Sequence, residues 1–115
     1  ARTTQRGLDA GISNLDLHHR DVEERGIGVP NHTLDAVFLF NILHGERPEI
    51  LFRHAQQALL PGGAVYVIHW RHDPNTPRGP DLSIRPKPEV LIDVARRFTD
   101  LCHEEPIHEL PPWHY

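Results

Sequence analysis

Cysteine is nearly missing from this sequence: Cys102 stands alone among 115 residues. No intramolecular disulfide can form, which excludes a secreted disulfide scaffold, and a multi-cysteine zinc cage is excluded with it; a reducing, cytoplasmic compartment is the expectation. Positive charge is also in short supply. Lysine and arginine total 12 against 16 acids, a net charge of −4, the wrong sign for a dedicated binder of nucleic acid or of an anionic membrane. No long hydrophobic run is present either, since the most apolar stretch, Leu34 to Leu43, is interrupted by Asp35 and Asn41 and is far too short to span a bilayer. Internal repeats and low-complexity tracts are absent, and no signal peptide is expected at the start. The first residue is Ala1 and the last is Tyr115, just after a Pro-Pro pair, so a piece of a longer protein is expected.

What is present suits one small domain. The composition, 38% hydrophobic and 24% charged, is that of a globular chain. With 11 prolines and 8 glycines, the core at this length must be modest.

The opening segment, Ala1 to Asn14, is polar, and a helix is expected to end near Leu8 to Gly11, where glycine suits the C-cap. Leu15 to Val22 alternates weakly and reads as a short strand, followed by a loop through Gly26, Gly28 and Pro30. Leu34 to Phe40 is almost continuously apolar, the pattern of a parallel strand buried on both faces. Pro48 opens a helix whose apolar stripe runs through Ile50, Leu51, His54, Ala55, Ala58 and Leu59. Pro61-Gly62-Gly63 reads as the turn that ends it, and Ala64 to Trp70 as a second strand. Strand, helix and strand in this order make a parallel βαβ unit. Arg71 to Pro88 carries five prolines and reads as a long, stiff loop, Glu89 to Phe98 as a helix, and Leu101 to Leu110 as a further strand, bent or at an edge because of Pro106.

The βαβ unit resembles the second half of a class I S-adenosylmethionine-dependent methyltransferase. Two segments carry the resemblance: Leu34-Asp35-Ala36-Val37-Phe38-Leu39-Phe40-Asn41-Ile42-Leu43-His44, and Ala58-Leu59-Leu60-Pro61-Gly62-Gly63-Ala64-Val65-Tyr66-Val67-Ile68-His69-Trp70. The family pattern is an acid opening the fourth strand, an Asn-Val-Leu-His-like segment after it, and a Leu-Pro-Gly-Gly turn leading into the fifth. Gly11 to Leu15 followed by Arg20-Asp21-Val22-Glu23 looks like the third strand and the loop that contacts adenine. The fold implied is α/β, a partial Rossmann-like three-layer sandwich, and the cofactor implied is S-adenosylmethionine. Under the resemblance Asp21 would accept from the adenine amino group and the Val22 backbone N–H would donate to a ring nitrogen. From the residues alone, Asp21 reads rather as a solvated acid in a turn, and only the resemblance favours the adenine contact.

Phe40 and Asn41 lie at the carboxyl end of the best strand, where open α/β sheets place ligands. The resemblance puts them at the methionine end of the cofactor, while Asn41 also reads as a plain cap for the adjoining helix or turn. His44, His69 and Arg71 converge on the same sheet edge and are the candidates for a substrate pocket. Histidine is apt as a base for a substrate hydroxyl or thiol, although most of the ten histidines read as surface residues. His18-His19, His69-x-x-His72, His103 and His108 lack a zinc-ligand spacing, and no metal is expected. Arg71, Arg78, Arg85 and Lys87 would either recognise an anionic substrate or merely solubilise their loop.

The resemblance stops short of the family's first half. No Gly-x-Gly-x-Gly turn follows a buried strand, and no acid ends a second strand to grip a ribose. The family's strand order, 3-2-1-4-5-7-6, would leave the strand at Leu34 to Phe40 with a bare edge. A homodimer covering that edge is expected, and two functions stay open: methyl transfer to a small-molecule acceptor when the domain is complete, or a non-catalytic remnant that assembles oligomers.

Overall fold

Residues 2–98 and 110–115 are described by the computed structural model. Their elements run α1 (Arg2–Asp9), α2 (Val22–Arg25), β1 (Leu34–Phe40), α3 (Pro48–Ala58), β2 (Leu59–Ile68), a single 3-10 turn (Leu82–Ile84) and α4 (Pro88–Ala95). The fold is α/β. β1 and β2 pair in parallel, with Ala36 opposite Ala64, Phe38 opposite Tyr66 and Phe40 opposite Ile68, and α3 is the crossover between them.

Each element follows from local chemistry. Pro48 and Pro88 occupy the first turns of α3 and α4, where a missing N–H costs nothing. α3 ends at Ala58 because Leu59 turns extended and its N–H closes onto the Ala55 carbonyl. Pro61-Gly62-Gly63 therefore does not terminate the helix. It lies inside β2 as a bulge, across which β1 advances from Leu34 to Ala36 while β2 advances from Leu59 to Ala64. Gly62 sits at φ 82°, and a Cβ at Gly63 would stand 3.1 Å from the Asp35 carbonyl oxygen. The glycine pair thus allows close approach of the strands and interrupts their regularity.

One face of the sheet carries the core. Val37 and Leu39 of β1 pack with Leu51, Phe52 and Ala55 of α3, with Leu59, and with Leu91, Val94 and Ala95 of α4. Phe52, only 2% exposed, lies outside the expected stripe; it is buried because α3 meets α4 as well as the sheet. The other face is open. Phe38 is 59% exposed, Phe40 45% and Tyr66 52%, with Phe38 stacked on Tyr66 at 5.2 Å and edge-on to Phe40 at 5.4 Å. β1 therefore alternates between buried and exposed instead of being buried on both faces, and the described residues form two layers, with no third layer over Phe38. Among these residues the second edge of β1 meets no strand.

The strand expected over Leu15 to Val22 does not form. Residues 12–21 carry no regular element, Leu15 and Leu17 stay about half exposed, and Val22 opens a helix. Two alternating leucines do not make a strand without an adjacent edge to bond. The tail strand expected over Leu101 to Leu110 lies outside the described residues except for Leu110. No helix among the described residues is long and apolar enough to cross a membrane.

Candidate functional site

β1 and β2 end side by side because they are parallel and adjacent, so the residues just beyond them share one rim. Asn41 leaves β1 in the left-handed region, at φ 57°, while its N–H still donates to the Ile68 carbonyl at 2.8 Å. That backbone is strained for a non-glycine residue, and asparagine tolerates it better than most. The turn after Asn41 buries Leu43, 1% exposed, and brings the His44 ring within 6.0 Å of the His69 ring, centre to centre.

His69 is fully buried. Beyond β2 the chain continues extended and takes a new partner, residues 113–115, in antiparallel pairing: the His69 N–H donates to the Tyr115 carbonyl at 3.0 Å, Tyr115 returns a 3.0 Å bond, and Arg71 donates to Trp113 at 2.8 Å. The Tyr115 ring lies 6.2 Å from that of His69, and its hydroxyl donates to the Pro86 carbonyl at 2.9 Å. Nothing in the sequence marks this strap, because Pro111-Pro112 argues against a strand and three residues are too few for alternation to show.

Hydrogen bonding fixes the His69 tautomer. Its Nδ1 stands 3.3 Å from the Trp70 carbonyl oxygen, which can only accept, so Nδ1 carries the proton and the neutral ring leaves Nε2 as a bare lone pair. Burial pulls the imidazole below its ordinary pKa; charge at His44, Arg85 and His114 works in the same direction, and only the Trp70 hydrogen bond opposes it. Among the described residues, Asn41 Oδ1, His44 Nδ1 and His69 Nε2 on this rim, and Arg85 Nε beside it, are buried without a hydrogen-bond partner. Burial likewise pushes the Tyr115 phenol above its usual range.

The loop from Arg71 to Pro88 is pinned by Arg85, 7% exposed. Its guanidinium donates to the carbonyls of Arg71 at 2.9 Å, Asp73 at 3.2 Å and Pro80 at 2.6 Å, and to the Thr76 hydroxyl. Arg85 is thus neither a solubilising nor a substrate-facing arginine. Gly79, at φ 109°, lies where a Cβ would stand 3.0 Å from the Trp70 indole, so the loop closes against the residue next to His69. Arg71 itself donates from Nε to the His114 carbonyl at 3.2 Å.

The structure brings together Asn41, His44, His69 and Arg71, but not all of the expected cofactor residues. Asp21 is exposed and caps α2, its Oδ1 accepting from the N–H groups of Glu23 at 3.0 Å and Glu24 at 3.2 Å. Val22 packs its side chain on the core. Phe40 points to the open face. Gly26 and Gly28 line a shallow groove of about 320 Å³ with His54, Gln57 and Ala58, at the amino ends of the strands, since Thr33 bonds Ala58 there. No family model matches the chain, and no curated protein or solved structure matches it. The functional reading therefore rests on the rim itself.

Proposed function

We propose that this chain supplies the acceptor side of a class I S-adenosylmethionine-dependent methyltransferase-like domain, in which a small-molecule acceptor binds at the carboxyl ends of β1 and β2. The observation that carries the reading is the meeting of Asn41, His44 and His69 at that rim, where parallel α/β sheets take ligands. The Asn-Ile-Leu-His and Leu-Pro-Gly-Gly segments that resemble the family frame the same rim.

The residues present do not fit S-adenosylmethionine by themselves. Asp21 already serves α2, the sequence holds no glycine-rich turn after a buried strand, and the Gly26–Gly28 groove opens at the opposite end of the strands. No chemical step is therefore assigned to the cofactor, and the elements that grip it belong to polypeptide other than these 115 residues. The reading frame encoding the chain tests this: an upstream glycine-rich strand-turn-helix is expected, and a frame without one favours the second reading.

That second reading is a non-catalytic assembly module, favoured by the uncovered Phe38, Phe40 and Tyr66 and by the unpaired β1 edge among the described residues. Under either reading the chain is expected to be a homodimer, because a bare strand edge beside an apolar face favours self-association. Light scattering at micromolar concentration is expected to give the dimer mass. Since Phe38 is exposed within one chain, Phe38→Lys should halve that mass while leaving the circular dichroism unchanged. A monomeric wild-type chain would refute the pairing.

A further inference from the structure

Two of the three unpartnered side-chain atoms on the rim have a definite polarity. With Nδ1 of His69 committed to the Trp70 carbonyl, Nε2 is an acceptor, and Asn41 Oδ1 is an acceptor by its nature. Burying an acceptor without a donor is costly, and two of them lie at one sheet edge, beside a third buried ring nitrogen on His44. A ligand with no donor would place lone pairs against both acceptors and leave them unanswered, whatever it gained at the buried Arg85 Nε–H. We propose that the carboxyl ends of β1 and β2 form a binding site for a small neutral molecule presenting two O–H or N–H donors, one to His69 Nε2 and one to Asn41 Oδ1.

The surroundings agree with that assignment. His69 is faced by His44 from the turn after β1, by Arg85 from the proline-rich loop, and by His114 and Tyr115 from the strap. Burial among these groups keeps the imidazole neutral, so the lone pair persists at pH values where exposed histidines have begun to protonate. The aromatic rings of Tyr115 and of Trp70, which lies tilted against His114 at 4.2 Å, favour a flat apolar body behind the donors. As the methyl acceptor, such a molecule rests on the methyl-transfer reading; as a ligand, it stands without it.

The test uses the whole chain, no cofactor, and catechol, which carries two adjacent O–H donors, as the probe, with veratrole, the same ring with both donors methylated, as the control. Long-range proton–nitrogen spectra of the nitrogen-15-labelled chain at about pH 8, where an ordinary imidazole is neutral, assigned through the backbone, are expected to show His69 with Nδ1 protonated and Nε2 bare. Catechol should move the Nε2 resonance toward the protonated range, veratrole should not, and Asn41→Gly, which accepts the φ of 57° without the amide, should weaken catechol by about five-fold. The opposite tautomer, no response to catechol, or an equal response to veratrole would overturn the proposal. Because no methyl donor is added, each outcome leaves the methyltransferase reading to be judged separately.

Discussion

Replacing Phe52 by alanine is expected to unfold this protein at moderate temperature. Phe52 is 2% exposed and is the largest of the fully buried side chains, set where α3 meets both β1 and α4. Truncating a buried phenylalanine removes its transfer energy and leaves a cavity, together about 4 kcal/mol. At about 4 °C per kcal/mol for a domain of this size, the melting temperature should fall by roughly 15 °C. Small domains have few kcal/mol in reserve, and half of this sheet's apolar surface contributes nothing to the interior because Phe38, Phe40 and Tyr66 face outward. Thermal unfolding followed by circular dichroism measures the shift; a loss of only a few degrees would mean that the layer of α3 and α4 on the sheet is not the core. Phe52→Leu, which keeps most of the volume, should recover most of the stability.

Arg85→Met is expected to release the loop from Arg71 to Pro88 while leaving the βαβ unit folded. The methionine keeps the apolar stem but removes the donors shared by Arg71, Asp73, Thr76 and Pro80. Hydrogen bonds from a charged donor contribute about 1.5–3 kcal/mol each, offset in part because the guanidinium no longer has to be buried. A net loss of about 3 kcal/mol corresponds to roughly 100-fold faster hydrogen exchange at the loop amides, with Ile84 and Arg85 as reporters through their bonds to Asp81 and Leu82. Arg85→Lys keeps the charge without the planar fork and should protect the loop only in part. Equal exchange in Arg85→Met and the wild type would show that the prolines alone stiffen the loop. Because the loop closes on Trp70, the Arg85→Met release should reach the residue beside His69.

The legible parts of this fold were those whose signals are local. Pro48 and Pro88 mark helix starts, and the apolar runs at Leu34 and Ala64 mark the strands, so the parallel βαβ unit could be read directly. What failed depended on partners elsewhere in the chain. The run Leu34 to Phe40 looks buried on both faces, yet what covers a strand is decided by other elements, and here α3 and α4 cover only the face of Val37 and Leu39. Leu15 and Leu17 alternate as a strand does, yet the segment pairs with neither strand of the sheet. Asp21 followed by Val22-Glu23-Glu24 is also an N-cap before a short helix, and the structure uses it so.

Within the site, Asn41, His44, His69 and Arg71 were legible because residues that follow parallel strands gather at one rim. Arg85 was not. A surface prior for arginine misleads in a loop rich in proline, where backbone donors are scarce and carbonyls must find a donor elsewhere. The Trp113 to Tyr115 strap was hidden by the prolines before it, and with it the burial that keeps His69 neutral.

The central claim is that these 115 residues carry the acceptor rim without the grip on the cofactor. Calorimetric titration of S-adenosylmethionine into the chain tests it most directly. No saturable heat is expected at micromolar protein and ligand, since Asp21 is committed to α2 and the sequence holds no glycine-rich turn to bring backbone N–H groups to the ligand. Saturable binding with a micromolar Kd would contradict it.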